Sequence, residues 1–220
     1  MAFRKISFAP GEYYHIYNRG NSKQKIFHDI EDYRRFMGLL YACNSTNSFR
    51  IYSLNKGENL YDFERGEQLV GIGTYVLMPN HFHILITSTE NGDLSKFMQK
   101  IVTAYVMYYN KKYKRTGGLF EGKFKAEHLD TDKYLKYIFS YIHLNPIKLI
   151  DKNWKETGIT DKEKALRFLA GYKYSGYQTY SGEERRENII LNKKLFPKYF
   201  PTAQKFSKEI LDWITYKDSQ

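Results

Sequence analysis

The stretch VGIGTYVLMPNHFHILIT, Val70 to Thr87, decides the fold. Val70 to Met78 and His81 to Thr87 are both rich in β-branched and apolar residues, and Pro79-Asn80 between them is a turn pair. Two such runs separated by two turn residues read as a β-hairpin. In a strand, alternate side chains point to opposite faces, so His81 and His83 share one face and Phe82 points to the other. Phe82 belongs in a core. The histidine face is left for a helix to cover.

Outward from this hairpin the pattern alternates. Tyr13 to Asn18 (YYHIYN) reads as a strand ended by Arg19-Gly20-Asn21. Asp29 to Tyr41 reads as an amphipathic helix, with Tyr33, Phe36, Met37 and Leu40 at 3–4 spacing. Phe49 to Leu54 looks like a strand, and Asn55 to Gln68 like a polar loop. After the hairpin, Asp93 is placed to cap a helix running to about Tyr113. Short extended pieces lie between Phe120 and Leu129. Thr131 or Asp132 then caps a third helix through Leu144, limited by Pro146 because the residue before proline is pushed out of the α region. The order β-α-β-β-α-β-α implies an α+β fold. It is a ferredoxin-like or RRM-like central antiparallel sheet of four or five strands with flanking helices. This unit spans residues 1–150. Residues 151–220, with helical patterns at Lys162 to Leu169 and Ala203 to Tyr216, read as a helical C-terminal extension.

Composition narrows the class. The chain has 220 residues, 42% hydrophobic and 17% aromatic, which excludes disorder throughout. Its formal net charge of +11 suits a polyanionic partner, with nucleic acid first. No apolar run approaches a membrane span. The opening MAFRKISFAPGEYY has no apolar core of a secretory leader, and the single Cys43 allows neither an internal disulfide nor a cysteine-based zinc site. A reducing, cytoplasmic, nucleoid-associated setting is expected. Lys100 to Lys125 is the most basic stretch. Lys111, Lys112, Lys114, Arg115, Lys123 and Lys125 are the candidate DNA-binding residues there, weighed against a solvated helix end. Tyr105, Tyr108, Tyr109 and Tyr113 on the same helix read as partly core.

Two imidazoles on one face, directly after a tight turn, are able to ligate one divalent cation. On the third helix, Tyr134, Tyr137, Tyr141 and Asn145 lie along one stripe at 3 and 4 spacing. The amide oxygen of Asn145 is a candidate third ligand, and a phenol one turn away would lie near the metal. Tyr134 and Tyr137 read as a packing stripe. With 21 tyrosines in the chain, spacing alone does not single out Tyr141 beyond its one-turn distance from Asn145.

Tyr75-Val-Leu-Met-Pro-Asn-His-Phe-His-Ile-Leu-Ile86 resembles the His-hydrophobic-His motif of the HUH single-stranded DNA endonucleases, in the form found in the single-tyrosine (Y1), IS200-like transposases. Gly118 to Lys125 (GLFEGKFK), Tyr141 to Lys148 (YIHLNPIK) and Tyr13 to Gly20 (YYHIYNRG) are similar to blocks of the REP-associated tyrosine transposases. The resemblance covers roughly residues 8–150. It implies that His81 and His83 are the metal-binding pair, that Tyr141 is the nucleophile, and that Asn145 completes the metal site where IS200-like enzymes typically have Gln. It implies an Mg²⁺- or Mn²⁺-dependent endonuclease/transposase that cleaves and rejoins single-stranded DNA through a 5′-phosphotyrosine at hairpin, REP-like sites. The enzyme would be a monomer or a homodimer. The alternative is a non-catalytic nucleic-acid-binding regulator derived from a transposase.

Overall fold

A computed structural model of the chain describes residues 7–48, 59–90 and 92–215, with side chains described as far as Trp213. The strand expected over Phe49 to Leu54 lies outside the described residues. The elements run β1 (Tyr13–Arg19), α1 (Ile30–Ala42), β2 (Val70–Met78), β3 (His81–Ser88), α2 (Leu94–Lys112), β4 (Lys125–His128), α3 (Asp132–Leu144), α4 (Trp154–Thr157), α5 (Lys162–Gly171), α6 (Tyr177–Tyr180) and α7 (Ala203–Thr215). The four strands form one antiparallel sheet in the order β2-β3-β1-β4. The fold is α+β and ferredoxin-like, as expected.

The sheet separates two cores. Phe82, Ile84 and Ile86 of β3 face α1 and α2, where they join Phe36, Phe97, Ile101 and Tyr105. Leu85 faces the other way, with Val76 and Met78, against α3. Both β2 and β3 are buried almost throughout, which explains why their sequence is a continuous apolar run rather than an alternation. Asp29, Asp93 and Thr131 each cap their helix, by accepting from Asp32, Lys96 and Tyr134 backbone N–H groups. On α3, Leu135, Ile138, Phe139 and Ile142 are the buried stripe. Asn145 keeps αR angles despite the following Pro146, and the chain runs on as a 3₁₀ turn through Leu149. The proline ends the α-helix but leaves Asn145 one turn below Tyr141.

The C-terminal residues do two jobs for the sheet. β2 is an edge strand, and an open edge invites pairing with another chain. Its free backbone groups are taken up by Leu77 N–H to Tyr174 O, Gly176 N–H to Tyr75 O and Asn192 N–H to Ile72 O, at 2.8–2.9 Å. Ile159, Leu169, Tyr180, Phe196, Phe206 and Ile210 also complete the core on the α3 side.

His143 lies inside this second core. It is fully buried among Phe139, Tyr180 and Phe206, at ring distances of 5.0–5.7 Å. Neither ring nitrogen has a hydrogen-bond partner among the described residues. Burial, with a smaller push from Lys193, lowers its pKa to about 3. A histidine in an unfolded chain titrates near 6.5. Between the two values the unfolded chain binds a proton that the folded chain refuses. The stability tied to His143 is therefore intact above about pH 6.5 and falls on acidification, by up to about 1.4 kcal/mol per pH unit. His143→Leu removes the titrating group and two unpaired polar atoms. The expected result is a smaller loss of melting temperature between pH 7.5 and pH 5 (about those values bracket the window) than in the unsubstituted chain. An equal loss would place the acid sensitivity in other groups.

Candidate active site

Strand register brings the histidines under α3. His81 lies opposite Arg19 and His83 opposite Tyr17 on β1, so His81, His83, His15, Tyr17 and, from β4, Glu127 and Lys125 share one face of the sheet. Hydrogen bonds then fix both imidazoles. Glu127 lies 3.4 Å from Nδ1 of His15, and Nε2 of His15 lies 2.8 Å from Nδ1 of His83. A carboxylate only accepts, so His15 donates from Nδ1 and accepts at Nε2, and His83 must donate from Nδ1. That leaves the lone pair of His83 on Nε2. His81 reaches the same state independently, because its Nδ1 lies 2.7 Å from Asn80 Oδ1. Each histidine is thereby set to offer Nε2 to a cation, the outer hydrogen bond determining the tautomer.

Burial keeps these rings neutral. It lowers the pKa of His81 to about 4, with Lys148 and Arg19 adding to the effect and Asn145 opposing it. His83 is pushed well below the ordinary value, by burial first and then by the neighbouring histidines and lysines. His15 is lowered by burial, although Glu127 pulls it back. Free imidazoles would lose metal through about pH 6–6.5. Here both hold their lone pairs at lower pH than that.

Asn145 faces His81 and Tyr141 from the turn after α3. It is 2% exposed, and its Oδ1 has no hydrogen-bond partner among the described residues. A buried amide oxygen beside His81 is an environment a cation would satisfy. Two imidazoles and one amide oxygen thus fit a divalent ion as donors. Among the described residues no group of three or more His, Cys, Asp or Glu side chains is placed to hold one; the oxygen donor beside the histidines is the amide of Asn145.

Tyr141 is half-buried beside this set. Its ring stands edge-on to His83 at 5.6 Å and to His15 at 6.3 Å. Burial raises its pKa; Asn145 and Lys148 lower it, and Glu127 raises it. Lys155 of α4 holds its Nζ 3.9 Å from the Tyr141 ring centroid, a cation–π contact. Tyr134 departs from a packing role, because its hydroxyl donates to Glu127 at 3.0 Å, as Tyr17 does at 2.9 Å. Tyr137 is 41% exposed.

The basic candidates separate. Lys123 and Lys125 are exposed, and Lys125 is on the histidine face. Lys111 and Lys112 end α2 and Lys114 and Arg115 follow it, in the helix layer across the sheet from Tyr141. Lys112 is committed to other partners: its ammonium lies 2.8 Å from Asp29 and 2.9 Å from the buried carboxylate of Asp32. Arg115 donates to Gln24 and covers the Tyr109 ring. The α2 tyrosines are structural. Tyr105 donates to Ile26 O, and Tyr108 and Tyr113 donate to Asp32.

Four site residues were not singled out from the sequence. Lys148 stands in the quoted Tyr141 block, but nothing in its spacing gave it a role. His15 lies in the opening strand block, where its register to His83 is invisible. Glu127 is near in sequence to α3 yet reaches the site through β4 pairing. Lys155 comes from the extension and carried no signal.

The model of the family "Transposase IS200 like" matches residues 66–145. No curated protein sequence matches the chain. Among solved structures, one described as the REP-associated tyrosine transposase bound to a REP hairpin superposes with a TM-score of 0.54 at 11% identity, covering 90% of this chain and 89% of that one. The two share a fold. The resemblance to the IS200-like transposases, carried by the hairpin and the Tyr141 block, is thus borne out over residues 66–145, the stretch that supplies both histidines, Tyr141 and Asn145.

Proposed function

We propose that this protein is a metal-dependent single-stranded DNA endonuclease and transposase that cleaves and rejoins DNA through a 5′-phosphotyrosine on Tyr141, at hairpin sites of the REP kind. The observation that carries the reading is the cluster under α3, where His81 and His83 share one face of the sheet and the buried side chain of Asn145 meets both His81 and, one helical turn away, the Tyr141 phenol. The catalytic unit is residues 1–150. Residues 151–220 are a helical extension that lends Lys155 to the site.

His81, His83 and Asn145 would hold the divalent ion; two nitrogen donors suit Mn²⁺ better than Mg²⁺. When bound, such an ion offsets charge on a nonbridging phosphate oxygen and orients the phosphorus for in-line attack. The rest falls to the chain. The Oη of Tyr141 bonds to phosphorus, the bond to the 3′ oxygen breaks, and that oxygen takes a proton to leave as a 3′-hydroxyl. The phosphotyrosine conserves the bond for rejoining, when a 3′-hydroxyl displaces Tyr141. Lys148 favours the phenolate. Glu127, the carboxylate that acts on Tyr141, already accepts from Tyr17, Tyr134 and His15. The phenol proton is therefore left to water.

Tyr141→Phe keeps the ring and removes the hydroxyl. It is expected to abolish cleavage and the denaturation-resistant protein–DNA adduct while DNA binding stays near that of the unsubstituted chain. Tyr134→Phe and Tyr137→Phe keep both activities, and peptide mapping places the nucleotide on Tyr141. An adduct on another tyrosine moves the site. If the unsubstituted chain forms no adduct on any single-stranded hairpin, the non-catalytic regulator becomes the better reading.

His15→Ala frees the Nδ1 of His83 and with it the choice of tautomer. Mn²⁺ affinity, measured by titration without DNA, should drop about 10-fold or more, and His81→Ala or His83→Ala should drop it further. Unchanged affinity in His15→Ala would confine its role to packing.

Hairpin binding should weaken steeply with salt through counterion release. Neutralising Lys111, Lys114 and Arg115 together flattens that slope if they meet phosphates; an unchanged slope makes them a solvated helix end. Lys112→Ala is expected to leave the slope alone and lower the melting temperature, because it strands the buried Asp32 carboxylate.

A further inference from the structure

A groove opens beside Tyr141 between α3 and the C-terminal helices. Its volume is about 900 Å³, the scale of the larger small-molecule pockets. Tyr137 and Tyr141 line one wall, Trp154 and Lys155 another, and Trp213 of α7 a third. The chain has two tryptophans, and both are here. The rings of Tyr137 and Tyr141 lie parallel within 4°, and Trp213 approaches Tyr137 at 5.4 Å. Tyr137 is among the few large hydrophobic side chains left exposed among the described residues, at 41%.

We infer that this groove is a subsite for single-stranded DNA, taking the unpaired nucleotides that continue from the phosphate at Tyr141 and stacking their bases on Tyr137 and Trp213. The inference rests on Tyr141 being the nucleophile, because any strand attacked there must continue away from it, and the groove begins at that residue.

The aromatic lining, not the charge, favours unpaired bases. Lys133, Lys136 and Lys155 are matched by Glu156, Glu209 and Asp212 around the groove, and Lys136 is already paired with Glu209 at 2.8 Å. With its charges balanced, the groove offers stacking rather than phosphate neutralisation as its holding force. Partly exposed aromatic rings hold unpaired bases, which a duplex keeps inside its own stack. Lys155, 3.9 Å from the Tyr141 ring centroid, stands at the end where the phosphate would lie.

Tryptophan emission reads the groove directly in the full chain. With chelator present to stop cleavage, titration with single-stranded oligothymidine should quench emission, whereas a duplex of equal length should not. Tyr137→Ala, at an exposed position, should keep the melting temperature and weaken oligothymidine binding about 10-fold. Trp213→Phe, which keeps an apolar ring against α3, should weaken it less and remove part of the quench. Adduct formation on a hairpin with a single-stranded tail should need about 10-fold more DNA in Tyr137→Ala, with the saturating rate unchanged.

Unchanged emission with oligothymidine, or variants that bind it normally, would overturn the inference even if Tyr141 forms its adduct. Quenching that the variants reduce, in a chain that never forms the adduct, would keep the subsite and sink the nucleophile. Emission that changes with protein concentration alone, with the variants shifting dimer to monomer, would make the groove a face for a second copy and overturn the subsite.

Discussion

The registered pairing of β3 between β1 and β2 is the constraint on which the rest depends. Its residues alternate between two cores, Phe82, Ile84 and Ile86 to one and His81, His83 and Leu85 to the other. A slip of one residue would put Phe82 under α3 and bury His83 among phenylalanines, with no hydrogen-bond partner. The two-residue turn at Pro79-Asn80 prevents it. Asn80 has a second part, since its side chain holds Nδ1 of His81. The turn that sets the register thus also sets one tautomer.

The second tautomer is set from further away. His83 depends on His15, His15 on Glu127, and Glu127 on the pairing of the short edge strand β4 with β1. The chain of hydrogen bonds crosses three strands. It leaves Nε2 of His83 without a proton, as Asn80 does for His81, which has the side chain of Asn145 beside it.

The C-terminal residues are joined to this site by the same packing that holds them. They close the β2 edge with backbone hydrogen bonds and fill the core over which α3 lies. In doing so they bring α4 and α7 alongside α3, which places Lys155 on the Tyr141 ring and Trp213 against Tyr137. The extension therefore reaches both the proposed nucleophile and the groove beside it.

The hairpin, the facing of His81 and His83 and the caps of α2 and α3 were legible in the sequence, because each follows from a local period or a turn residue; the buried stripe of α3 is Leu135, Ile138, Phe139 and Ile142, not the tyrosine stripe read from spacing. The Tyr141–Asn145 spacing was legible too, and it survived Pro146 because Asn145 stays helical and the chain tightens into a 3₁₀ turn. Resemblance, rather than spacing, chose Tyr141 among the tyrosines of its stripe. The commitment of Lys112 to Asp32 was not legible, since nothing in a run of basic residues tells which one meets a buried carboxylate on another helix. Nor were His15, Glu127 and Lys155. Residues far apart in the chain become neighbours only through strand pairing and core packing, so tautomers, buried charges and the groove were decided by the tertiary structure.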